Sequence, residues 1–113
     1  MTEPGTLTHG AGGALYISVD AEAYRIEAED AKNLLFYGRV IPITLERSRT
    51  TPGGILTSEI AIEGHAAMNA SGRAVMLHTR VGSYIIPLVS FQRVTRGEAI
   101  SAPLFPLLPE VGL

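Results

Sequence analysis

The sequence predicts an all-β fold, a small barrel or a two-sheet sandwich of antiparallel hairpins. Three observations carry that expectation. In ALYISVD, Leu15, Ile17 and Val19 alternate with Tyr16, Ser18 and Asp20, the period of two that sends successive side chains to opposite faces of a strand. In AYRIEA, Tyr24, Ile26 and Ala28 alternate with Arg25 and Glu27. Third, the residues on either side of Ser71-Gly72 mirror one another in polarity, as the two arms of a hairpin must.

The elements follow in order. Residues 1–13 are rich in Gly and Thr and read as a flexible lead. A β domain then spans 14–101. Its first hairpin is expected to pair Val19 with Tyr24 and Ile17 with Ile26, with Ser18 opposite Arg25. EDAKN offers one helical turn, with Glu29 or Asp30 near its start, too short to stand alone. LLFY-GR-VIPI reads as a second hairpin, because a leading Gly suits a two-residue turn. Pro42 cannot donate to a ladder, so its strand is an edge there or carries a bulge. ERSRTTPGG is a loop by composition.

Residues 55–69 extend again and turn at Ser71-Gly72. The inner pairs are expected to be Met68 with Val75, Ala66 with Leu77, Gly64 with Thr79 and Ile62 with Val81. The outer pairs are Ala67 with Met76, His65 with His78 and Glu63 with Arg80. The two imidazoles therefore face each other across the ladder. YIIPLVSFQRV is apolar on both faces and suits a central strand, or one covered by another subunit. In the tail, 102–113, Pro103, Pro106 and Pro109 recur every third residue with Leu104, Phe105, Leu107 and Leu108 between them. That apolar, polyproline-like segment is expected to dock on its own domain or on a second copy.

An internal duplication is an open alternative. Residues 12–15 are echoed at 53–56, and residues 38–43 loosely at 82–88. A true repeat would imply a pseudo-symmetric barrel or sandwich. The segment Gly38-Arg39-Val40-Ile41-Pro42-Ile43 resembles stretches of CheW-like adaptor domains; the likeness covers one hairpin and nothing is built on it.

Composition excludes several chemistries. The chain has 113 residues, a net charge of −2, and no cysteine. One domain is expected. Disulfides, zinc–thiolate sites and thiol catalysis are ruled out, and the charge argues against a general polyanion binder. There is no nucleophile elbow and no phosphate loop. No apolar run approaches the roughly 18 residues of a membrane helix, and the start lacks a signal-peptide pattern. A cytoplasmic location without membrane contact is the default expectation. It also sets aside Asn69-Ala70-Ser71 as a glycosylation acceptor.

The leading functional expectation is a non-catalytic protein-interaction or assembly module that forms homo-oligomers or takes an unidentified protein partner. Its interaction residues would be Tyr84, Ile86, Leu88, Phe91, Leu104, Phe105, Leu107 and Leu108. The alternative is a small-barrel nucleic-acid binder using Arg39, Arg47, Arg49 and Tyr37, arginines beside an aromatic being the single-strand recipe; the negative net charge disfavours it. A metal-binding or enzymatic role on the His65/His78 face, with Glu63, comes third, since two ligands on one hairpin fall short of a zinc set. No cofactor is expected.

Overall fold

The alternation seen in the sequence becomes strands, while two stretches expected as strand become helix. The computed structural model describes residues 5–19 and 22–107, apart from the side chains at 47–49. Along them run β1 (Gly5–His9), β2 (Leu15–Val19), β3 (Glu22–Ile26), α1 (Ala28–Tyr37), β4 (Ile41–Thr50), β5 (Leu56–Met68), β6 (Ala74–Thr79), β7 (Gly82–Pro87), α2 (Leu88–Thr95), β8 (Ser101–Pro103) and β9 (Phe105–Pro106). The strands form one antiparallel sheet in the order β8-β1-β2-β3-β4-β5-β6-β7-β9. β8 and β9 are separated only by Leu104. One short stretch of chain therefore pairs with both ends of the row, and the sheet nearly closes into a barrel.

The closing stretch belongs to the expected tail. β8 pairs with β1, placing Ala102 opposite Leu7; β9 pairs with β7, placing Phe105 opposite Ile85. The Leu104 N–H donates to the Gly5 carbonyl at 2.9 Å and the Leu107 N–H to the Ser83 carbonyl at 2.9 Å. Pro103 and Pro106 lack an N–H, which is tolerated where only one side of a strand is paired. Gly5–His9, expected within a flexible lead, is instead β1, held between β2 and β8 with Leu7 fully buried. Leu108 and Pro109 lie outside the described residues.

The β5–β6 hairpin has the expected register from Gly64 opposite Thr79 to Met68 opposite Val75. The first is shifted by two residues: Ile17 lies opposite Tyr24 and Leu15 opposite Ile26. An even shift keeps every side chain on its face, so the apolar pattern does not distinguish the two registers. Residues 20–21, which join these strands, lie outside the described residues.

Three segments differ in type. LLFY continues the EDAKN turn into α1, which ends where Gly38 takes φ 64°, a left-handed conformation that glycine adopts without a Cβ penalty. Ala31 and Leu34, three apart, bury the helix face. YIIPLVSFQRV splits at Pro87: Tyr84 and Ile86 point inward from β7, then Phe91 and Val94 point inward from α2. A period of two followed by a period near 3.6 resembles one strand with two apolar faces. Glu46–Thr50, expected in a loop, extends β4 alongside the start of β5.

The two halves share one topology of three strands, a helix and a closing strand. β2–β3 pairs Leu15 with Ile26 and Ile17 with Tyr24. β6–β7 pairs Val75 with Ile86 and Leu77 with Tyr84 at a constant offset, 15 to 75 and 24 to 84. The buried helix residues Ala31 and Leu34 match Phe91 and Val94 at that same offset. In the closing strands, Ile41 faces Ala66 as Ala102 faces Leu7, and each is followed by a proline. The barrel is thus pseudo-symmetric, but the likenesses at 12–15 with 53–56 and 38–43 with 82–88 do not join equivalent elements.

All elements bury their apolar faces in one core, including Leu15, Ile26, Leu34, Leu77, Phe91 and Leu104. Phe105, next to Leu104, points outward and is 49% exposed. Leu104→Ala is expected to cost about 2–5 kcal/mol, and Phe105→Ala less than about 1 kcal/mol, by urea denaturation. Equal losses at the two positions would show that the closing strand is not seated in this way.

Candidate functional site

The outer face of β5–β6–β7 carries the histidine pair. His65 and His78 are cross-strand neighbours with ring centroids 4.8 Å apart and planes tilted by 37°. Gly64 fixes this approach: a Cβ there would overlap the His78 carbonyl oxygen. Ser83 lies opposite His78 in the next ladder, and its Oγ is 2.8 Å from His78 Nδ1. The expected set therefore comes together in part, as an imidazole pair extended by a serine that sequence reading missed. The β6–β7 register was the signal that could have found it.

Glu63 does not complete a metal site. The ladder between β4 and β5 runs Ile43 opposite Gly64 and then Thr44 opposite Ile62, so Glu63 is the extra residue of a β-bulge. Arg80 has a carboxylate partner that the sequence reading did not place, Glu22. Arg80 bonds through Nη2 to Glu22 Oε1, with the Glu63 charge adding to the field around it. Glu22 also accepts from the Tyr24 hydroxyl at 2.9 Å. Burial, and then this acceptor, push the Tyr24 pKa above its usual value. Among the described residues, no three His, Asp or Glu side chains gather as a metal would require.

The basic group is dispersed. Arg39 stands 5.2 Å over the Tyr37 ring, beside an exposed Phe36, at the end of α1. Arg47 lies six residues into β4, about 20 Å from its start at the usual strand rise, with Arg49 beyond it; their side chains lie outside the described set.

The expected interaction residues divide. Tyr84, Ile86, Phe91 and Leu104 are buried in this chain's own core, and Leu88 packs against it; the closed barrel needs them, so they are not available as a surface. Phe105 and Leu107 remain partly exposed. The larger apolar surface is one that the sequence reading placed inside. The bulge at Glu63 reverses the alternation of β5, so Ala61 faces Leu45 while Ile60 and Ile62 turn outward, 66% and 72% exposed. With Leu56, also exposed, they form an aliphatic stripe along one face. Beyond residue 45, β4 and β5 have only each other as strand neighbours among the described residues, so they project as an arm. At its base lies an open hollow of about 450 Å³ lined by Tyr16, Arg25, Thr44, Glu46 and Ile60. Arg25 in its wall is already paired with Glu27, Nη2 to Oε2 at 3.2 Å.

Among the described residues, no helix is long and apolar enough to cross a membrane. In this cysteine-free chain, His65→Cys with His78→Cys is expected to form an internal disulfide on oxidation. Opposed Cα atoms lie within the roughly 4.4–6.8 Å that disulfides span, and failure to oxidise would put the two strands in another register. No protein-family model, curated protein or solved structure matches the chain.

Proposed function

We propose that the protein is a non-catalytic interaction module that self-associates. The observation that carries this reading is the stripe of Leu56, Ile60 and Ile62, exposed on an arm whose two strands have only each other as strand neighbours among the described residues. A two-stranded ribbon alone in water is marginal. Covering a large aliphatic side chain is worth about 1.5–3 kcal/mol, so three of them supply a driving force that this chain leaves unused. The Phe105 and Leu107 surface lies on the other seam of the barrel and offers a second, smaller patch.

A nucleic-acid reading keeps one supporting observation, the exposed Phe36 and Tyr37 with Arg39 stacked over Tyr37. Arg39 before β4, with Arg47 and Arg49 far along it, makes a poor backbone track. It is therefore second.

Light scattering across a concentration series is expected to give a mass rising above the 12.0 kDa of one chain. Ile60→Ser with Ile62→Ser should return it to one chain while leaving the thermal midpoint nearly unchanged, because both side chains are exposed. A wild-type mass that stays at one chain throughout removes this reading. Tight, salt-sensitive binding of a labelled single strand, lost in Arg39→Ala, would promote the second.

A further inference from the structure

We propose that two copies associate by pairing their β5 strands edge to edge, antiparallel, about a two-fold axis at Ser58. The proposal rests on the self-association reading and names its geometry.

The arm has two outer edges, and their residues differ in kind. The β4 edge reads Glu46-Arg47-Ser48-Arg49-Thr50, charged and polar, the composition that protects an edge from pairing. The β5 edge reads Leu56-Thr57-Ser58-Glu59-Ile60-Ala61-Ile62. β6 lies beside β5 only from Gly64 onward, so no described strand of this chain occupies that edge. An open, aliphatic, β-branched edge recruits another strand through its backbone groups.

Side-chain chemistry selects the register. Self-pairing of one edge is antiparallel and isologous. Only registers that place even-numbered residues opposite even-numbered ones keep both aliphatic stripes on the same side of the joint sheet. Centring on Glu59 would oppose two carboxylates. Centring on Thr57 would oppose Leu56 to Ser58. Centring on Ser58 opposes Leu56 to Ile60 twice, Ser58 to itself, and Thr57 to Glu59. Arg49 sits opposite Thr57 and Arg47 opposite Glu59 within each arm. The row across the joint sheet therefore runs Arg49, Thr57, then Glu59 and Arg47 of the second copy, which places each carboxylate between its own arm's Arg47 and a hydroxyl of the other copy.

The paired segment, Leu56 to Ile60 of each copy, ends four residues short of Gly64. Ser58 stands six residues from Gly64, where the barrel proper begins, about 20 Å at the usual rise. The second copy's β5 ends at Leu56, about 7 Å past the axis. Five opposed residues a side, Leu56 to Ile60, is well below the roughly 20–30 of a standard interface, so the association is expected to be weak, in the micromolar range.

Ser58→Cys tests the register, since the chain has no other cysteine. Opposed Cα atoms in an antiparallel pair are about 4.5–5.5 Å apart, within disulfide reach. The variant should oxidise to a covalent dimer. Thr50→Cys, on β4 and about 20 Å from its mate, three strand spacings across and four residues along, should not. Ser58→Arg sets two cations face to face at the axis and should weaken association by roughly tenfold or more. A dimer by mass in which neither or both cysteine variants crosslink overturns the edge pairing but leaves self-association standing. A single-chain mass with no Ser58→Cys crosslink overturns both.

Discussion

Closure of the sheet is the constraint on which the rest of this structure depends. A sheet of seven long strands would leave β1 and β7 as open edges, with unpaired backbone groups and one apolar face. The stretch from Ser101 to Pro106 removes both edges at once, by pairing first with β1 and then with β7. Leu104, at the crossing, is fully buried. The two prolines fit because each short strand is paired on one side only. The helices complete the enclosure, since α1 and α2 lay Leu34 and Phe91 into the same core.

The pseudo-symmetry explains why closure takes this form. In the first half, β4 follows α1 and pairs with β3 and β5. In the second, β8 and β9 follow α2 and pair with β1 and β7. Each half cannot bury its apolar face without the other, so the last strand of each half is shared with the first strand of the next. The halves depart from symmetry in one place. β4 and β5 run on together past the barrel, and the bulge at Glu63 turns that extension inside out. One inserted residue moves Ile60 and Ile62 from the core face to the surface. It thereby creates the candidate interaction surface.

Legibility in the sequence followed the range of the interaction. The hairpin from Gly64 to Thr79 was readable because period-two alternation and a short turn fix its register locally, and the His65–His78 contact came with it. The first hairpin was readable as to faces but not register, because a shift of two changes no face. The helix-to-strand junction at Tyr37 and the strand-to-helix junction at Pro87 escape a local reading because a few apolar residues fit both periods. Helix identity there rests on Ala31 with Leu34 and Phe91 with Val94 meeting a core that the local sequence does not show.

The sequence by itself determined an antiparallel β fold, the faces of its hairpins and the absence of thiol chemistry, since each depends on residue type and on neighbours a few positions away. Tertiary structure alone decided that the Pro-rich stretch closes the barrel, that Gly5–His9 is a strand, that Arg80 meets Glu22, and that Ile62 faces outward. The physical reason is common to all four. Each is a pairing between segments far apart in the chain, and neither partner carries a local mark of the other.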